Sequence, residues 1–199
     1  DDPLLLVAEA AASSTGQGFV AGIKPSVDRF RDAFLATDRV TSLSDLAAVD
    51  REDDALVAAL GAQRKRSVLV EIARVLADRP EPDDLAALEA WAATADHYRY
   101  DEDPIGSISG VGLGTFQYLR QLAGVDTPRP DPTAERLLEA VADDLNSSPI
   151  DTSTARRTIA SCEWLAFVSG YRPLELDRIA WWIATDPAER EATLEAARP

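Results

Sequence analysis

Residues 103–124 read DPIGSISGVGLGTFQYLRQLAG, and the fold reading turns on them. Gly110, Gly112 and Gly114 alternate with Val111 and Leu113. Glycines clustered this way let a backbone come close to something, often a phosphate, because no Cβ stands in the way. A dinucleotide fingerprint needs G-x-G-x-x-G directly after a buried strand. Here the sixth position is Thr115, and DEDPIGSIS ahead of the glycines is no apolar strand. A phosphate-binding loop of the P-loop kind needs Gly-Lys-Ser/Thr, and Gly114 is followed by Thr115 with no lysine.

A helix-hairpin-helix accommodates the stretch. Asp103 is placed to cap a short first helix that begins at Pro104, with Ile105 and Ile108 as its apolar side. Ser109-Gly110-Val111-Gly112 forms the turn, with Val111 directed inward. The second helix is expected from near Leu113 to Leu122, where Gly124 stops it. At its start, small Gly114 and Thr115 leave backbone N–H groups facing outward, and with the positive helix end these suit a phosphate. A glycine-rich connector between two packed helices is the competing reading.

Around the hairpin, helical periodicity recurs and alternating strand patterns are nearly absent. Helices are expected over residues 3–14, over PSVDRFRDAFLAT with Pro25 near its start, and over TSLSDLAAVD with Ser42 or Ser44 as cap. REDDALVAALG is a further short helix stopped by Gly61. RKRSVLVEIARVLADRP is strongly amphipathic, and EPDDLAALEAWAATADHY follows it. After the hairpin, Pro128 and Pro130 hold the chain extended up to Asp131, an N-cap with Pro132 at the first helical position. Two more helices are expected, roughly over 152–169 and 174–185. The fold class is therefore all-α, with about eight to ten helices counted from these stop signals.

The chain has 199 residues, 46% of them apolar, enough for a sizeable core. Cys162 is its one cysteine, so no disulfide forms within the chain and no thiolate cluster is expected; the single histidine, His97, speaks equally against a histidine-rich metal site. The apolar run PLLLVAEAAA is too short to span a bilayer and has no basic segment before it, so no membrane association and a cytoplasmic location are expected. Acidic residues number 35 against 20 basic, a formal net charge of −15, and Lys24 and Lys65 are the only lysines. Excess short carboxylates with few lysines resemble the proteins of extreme halophiles; an acidic protein that avoids or mimics nucleic acid is the rival reading.

ISGVGLGTFQYLRQLAGVDTPRPD resembles the hairpin and following loop of the helix-hairpin-helix DNA glycosylases, the superfamily of endonuclease III. Upstream, SLSDLAAVDREDDALVAALGAQRKRSVLVEIARVLAD is similar in order and rhythm to the paired helices before that hairpin, so the likeness covers residues 26–145. The resemblance implies a two-lobed helical fold. Residues 24–130 would form a central domain containing the hairpin (103–124), residues 1–23 with 131–199 a second lobe, and a cleft would lie between them. It implies a base-excision repair protein acting on double-stranded DNA as a monomer, a monofunctional glycosylase that breaks the N-glycosidic bond of a damaged base. The alternative it leaves is a DNA-binding relative that has lost the chemistry.

By that resemblance Asp131 matches the aspartate that steadies the sugar cation as the base leaves. A carboxylate held ionised at a helix start suits that role, although Asp-Pro at a helix start is also a common cap. Gly110, Val111, Gly112, Gly114 and Thr115 would hold the DNA backbone. Arg64, Lys65 and Arg66 form the densest basic patch, and Arg120 and Arg129 flank the hairpin and linker; all five are candidate phosphate contacts, with a solvated helix start as the alternative for the patch. Strand-cutting members carry a lysine where this chain has Gly114, so no Schiff-base lyase activity is expected. Thr133 stands where many relatives have histidine. One cysteine excludes the iron–sulfur cluster, no resident metal or cofactor is expected, and a monovalent cation at the hairpin is the one ion the likeness admits. Of Trp181 and Trp182, one is expected in the core; His97 is expected at a surface or interface, and Cys162 in the core.

Overall fold

Four Asp-Pro pairs punctuate the chain: Asp2-Pro3, Asp103-Pro104, Asp131-Pro132 and Asp186-Pro187. In each, the carboxylate accepts a hydrogen bond from the N–H two residues on, at Leu4 (2.9 Å), Ile105 (2.8 Å), Thr133 (2.9 Å) and Ala188 (2.8 Å). Proline supplies the fixed φ of a first helical turn and lacks a donor that would be orphaned there. Three of the four pairs open helices.

The computed structural model describes residues 2–145 and 149–196. The described residues contain no strand, and the fold is all-α. It divides into two compact units, residues 1–125 and 126–199.

In the first unit, α1 (Pro3–Ser13) leads through a glycine loop and a π-helical segment (Phe19–Ile23) into α2 (Lys24–Phe30) and a second π-helical segment (Arg31–Leu35). Then come α3 (Leu43–Ala47), capped by Ser42, and α4 (Asp54–Leu60), stopped by Gly61 at φ +70. Next are α5 (Gln63–Ala77), α6 (Asp84–Thr94), a 3-10 turn over His97–Glu102 and α7 (Leu113–Leu122). Ala8, Ala10, Ala11 and Ala12 of α1 are fully buried. Such small side chains let α1 lie close against both α5 and α7. Residues 2–23, which the family resemblance would group with 131–199, thus pack within the first unit.

Phe30 and Phe34 stack at 5.2 Å, and Trp91 meets Phe116 edge-on at 5.4 Å. Leu43, Leu46, Leu69, Ile72, Leu76, Leu88 and Leu119 are buried in the same unit.

The second unit holds α8 (Pro132–Asp144), α9 (Ala155–Ser169), α10 (Pro173–Ala184) and α11 (Pro187–Ala196). Ala134, Leu138 and Cys162 form a small core there, with Ile150 and Leu165 against it. Sequence periodicity missed α11, whose start carries the same Asp-Pro signal as α8. Trp181 is half-buried and Trp182 exposed, with the Arg190 guanidinium 5.0 Å over its ring, so neither tryptophan fills the core as expected. His97, expected at a surface or interface, is buried within the chain, with its ring tilted 4.2 Å from that of Tyr98. No helix among the described residues is long and apolar enough to cross a membrane.

Candidate nucleic-acid interface

The hairpin is half helix. α7 has the expected bounds, with Gly112 as its N-cap and Gly124 at φ +88 beyond its end. The expected first helix from Pro104 is instead a run of turns. Asp103 accepts from the N–H groups of Ile105 and Gly106, and one helical turn closes from Ser107 N–H to Asp103 O at 2.8 Å. It stops there because Ile105, Gly106, Ser107 and Ile108 are weak helix formers and the chain must turn into the glycines. The Trp91 indole N–H donates to Asp103 at 3.1 Å, which ties the start of the hairpin to α6.

The glycines have different jobs. Gly110 sits at φ +100, a conformation that favours glycine, and a Cβ there would lie 3.0 Å from Val68. Gly106 is required by contact: its Cβ would stand 1.9 Å from the Tyr100 carbonyl oxygen. Gly112 has φ −96 and open space where a Cβ would point. The fold does not need glycine at 112. Val111 is buried as expected and anchors the turn through its N–H to Ile108 O (2.9 Å). Gly114 is half-buried in the first turn of α7, and Thr115 turns its side chain inward.

The RKR run splits across two faces of α5. Lys65 is in phase with Leu69, Ile72 and Leu76, and Arg66 with Val70 and Ala73, so both are drawn into the interior. Arg66 donates to the carbonyls of Arg51 (2.6 Å) and Gly61 and forks onto Glu52 at 2.9 Å. It clamps the loop before α4 to the loop after it. Lys65 donates to Gln17 Oε1 at 2.7 Å. Arg64 lies on the outer stripe with Ser67, Glu71 and Arg74, and its guanidinium holds Gly110 O at 2.8 and 3.1 Å. Arg120 is buried and donates to Ala92 O (3.1 Å) and Gln117 Oε1 (2.8 Å). Lys65, Arg66 and Arg120 are thus interior side chains with partners inside the chain, which the local charge run did not reveal. The 3.6-residue phase of Lys65 with the leucines is the signal that could have found it.

Between the hairpin turn and α5 lies an open groove of about 760 Å³, lined by Arg51, Gln63, Arg64, Ser67, Ser109 and Gly110 together with Glu71 and Ile108. Two arginines face one glutamate there, in a chain whose net charge is −15. Arg51 pairs with Glu71, which also pairs with Arg74. α5 begins at the groove and α7 three residues beyond it, and neither helix has a side-chain cap. Uncapped first-turn N–H groups and the positive helix end favour an anion at such a place.

Asp131 lies in the second unit. Its Oδ1 accepts from Thr133 N (2.9 Å), Thr133 Oγ1 (2.6 Å) and Ala134 N (3.0 Å). Its Oδ2 accepts a fork from Arg129 Nε (3.0 Å) and Nη2 (2.7 Å). The side chain is 17% exposed. Burial pushes its pKa up, but the Arg129 charge, the Thr133 hydroxyl and the Ala134 amide outweigh it and hold the carboxyl below its ordinary value of 3.8. Thr133 serves this cap through both its amide and its hydroxyl. Burial and the charges of Asp177 and Asp131 push the Cys162 thiol up to about 12. Among the described residues no three metal-ligating side chains gather.

Comparison with protein-family models, with curated proteins and with solved structures returns no match to this chain.

Proposed function

We propose that the chain binds the backbone of duplex DNA through the groove between the hairpin turn and α5, as a DNA-binding protein that keeps the glycine turn and second helix of a helix-hairpin-helix and in which Asp131 serves the fold. The observation that carries the reading is the groove itself: two uncapped helix starts, two arginines and two hydroxyl-bearing serines at or next to one open face. Backbone N–H contacts to phosphate depend little on counterion release, so they persist in the high salt that a −15 surface calls for. Gly112 fits the same role, because open space at its Cβ position lets an external backbone approach.

Asp131 is less suited to chemistry than the family likeness implies. Both its oxygens are engaged, and the Arg129 charge cancels the field that would stabilise a sugar cation. One feature does favour the excision reading, namely that the carboxylate is held ionised at a helix start. Two assays separate the readings. Fluorescence anisotropy with a labelled duplex, from about 0.1 M to molar salt, should show binding that Ser109→Glu weakens at unchanged melting temperature. Absence of binding throughout that range sinks the proposal. Release of base from duplexes carrying alkylated, oxidised or deaminated bases, lost in Asp131→Asn, would establish excision instead.

A further inference from the structure

Lys65 is 3% exposed and has no carboxylate partner among the described residues; its one hydrogen bond goes to the neutral Gln17 amide. In a chain with 35 acidic residues against 20 basic, an acid would be the ordinary partner. Burying an ammonium beside a neutral acceptor alone is costly. Arg29 adds to the cost. Among the described residues its guanidinium bonds only neutral oxygens, Ala59 O at 2.9 and 3.1 Å and Ser26 Oγ at 3.3 Å. Burial and the Arg29 charge push the Lys65 pKa down. The two cations meet around one seat: Ser26 Oγ, which accepts from Arg29, donates to Gly22 O at 2.8 Å, and Gly22 lies against the Gln17 carboxamide that Lys65 holds; among the described residues neither cation has a carboxylate partner.

Gln17 is an exposed residue on the loop Gly16-Gln17-Gly18, where Gly16 has φ +69. Its side chain folds back over Gly22, whose Cβ would lie 2.6 Å from Gln17 Cβ and 2.7 Å from Oε1. The missing side chain at 22 makes the seat in which this carboxamide lies. A carboxamide has the shape of a carboxylate, and its oxygen points at the ammonium as an anion's would.

We propose that Gln17 occupies, as a displaceable neutral plug, a binding site for a small oxyanion of the phosphate class formed by Lys65 and Arg29. The anion enters from the exposed Gln17 and Arg29 side and places one oxygen where Gln17 Oε1 lies. The glycine-flanked loop swings out to admit it. Free phosphate is the expected form, since the buried ammonium is beyond reach of a duplex backbone. The site is separate from the DNA groove and does not rest on that reading.

The test is thermal melting at constant ionic strength, with inorganic phosphate exchanged for chloride. Wild type should show a saturable rise in Tm. Gln17→Ala, which removes the plug from an exposed loop, should bind phosphate on the order of tenfold tighter, because a hydrogen bond to a charged group no longer competes. Gln17→Glu should melt higher than wild type without phosphate and lose the response, as should Lys65→Met lose it. A flat response in both wild type and Gln17→Ala overturns the proposal, as does an undiminished response in Gln17→Glu. A response to duplex DNA but not to phosphate overturns the assignment to a free anion.

Discussion

Replacing Asp131 separates a fold role from a chemical one. Its two oxygens act independently: Oδ1 caps α8, and Oδ2 takes the Arg129 fork. Asparagine keeps the cap, since it is as good an N-cap as aspartate, but sets amide hydrogens against the guanidinium. Asp131→Asn therefore costs about 1.5–3 kcal/mol, the range for hydrogen bonds to a charged group. Alanine removes the cap as well, which adds about 1 kcal/mol. Asp131→Ala should cost about 2.5–4 kcal/mol by that sum.

Urea unfolding at fixed salt, followed by tryptophan fluorescence, reads this directly. Three of the four tryptophans, Trp164, Trp181 and Trp182, lie in the second unit, so the signal reports the part that holds Asp131. The pH dependence has a definite sign. The folded pKa lies below the ordinary 3.8, so the contribution is full above that value and is lost as pH falls through the lower folded one. The gap between wild type and Asp131→Asn should close over that acidic interval. If Asp131→Ala stays within about 0.5 kcal/mol of wild type, the level of an indifferent surface change, the cap and pair geometry is not what holds α8.

Three further outcomes follow from the geometry. Gly106→Ala should cost at least about 2 kcal/mol through its clash with the Tyr100 carbonyl, whereas Gly112→Ala should stay within about 1 kcal/mol, because a weaker cap is offset by a less flexible unfolded chain; equal urea midpoints for the two would refute the distinction. Arg66→Met should lower stability by at least about 2 kcal/mol, because three loop acceptors lose their donor; a drop in DNA affinity at unchanged stability would instead make Arg66 a phosphate contact. Cys162 should resist iodoacetamide at about pH 8 while folded and react in urea, since the thiol is buried and pushed up to about 12; labelling of the folded protein, followed by mass spectrometry, would contradict that placement.

Much of the fold was legible because its signals are local. Helix starts at Ser42, Pro132 and Leu113 follow from a capping side chain, a proline's φ or a glycine turn, and each acts within one turn of the chain. The missed α11 had the same signal. The candidate site was less legible, because a charge run reports charge but not direction. RKRS reads as one basic patch, yet successive residues on a helix are 100° apart, so Arg64 faces the groove while Lys65 and Arg66 face the interior.

The sequence by itself determined the helical class, most helix boundaries, the hairpin's second helix and the placing of Asp131 at a helix start. Each depends on steric and hydrogen-bonding preferences within a few residues. Tertiary packing alone decided that Gly110 sits where a Cβ would meet Val68, that Arg120 is buried against the Ala92 carbonyl, and that Lys65 is buried against Gln17. Those depend on which atoms from distant segments arrive at the same place, and no local pattern encodes that meeting.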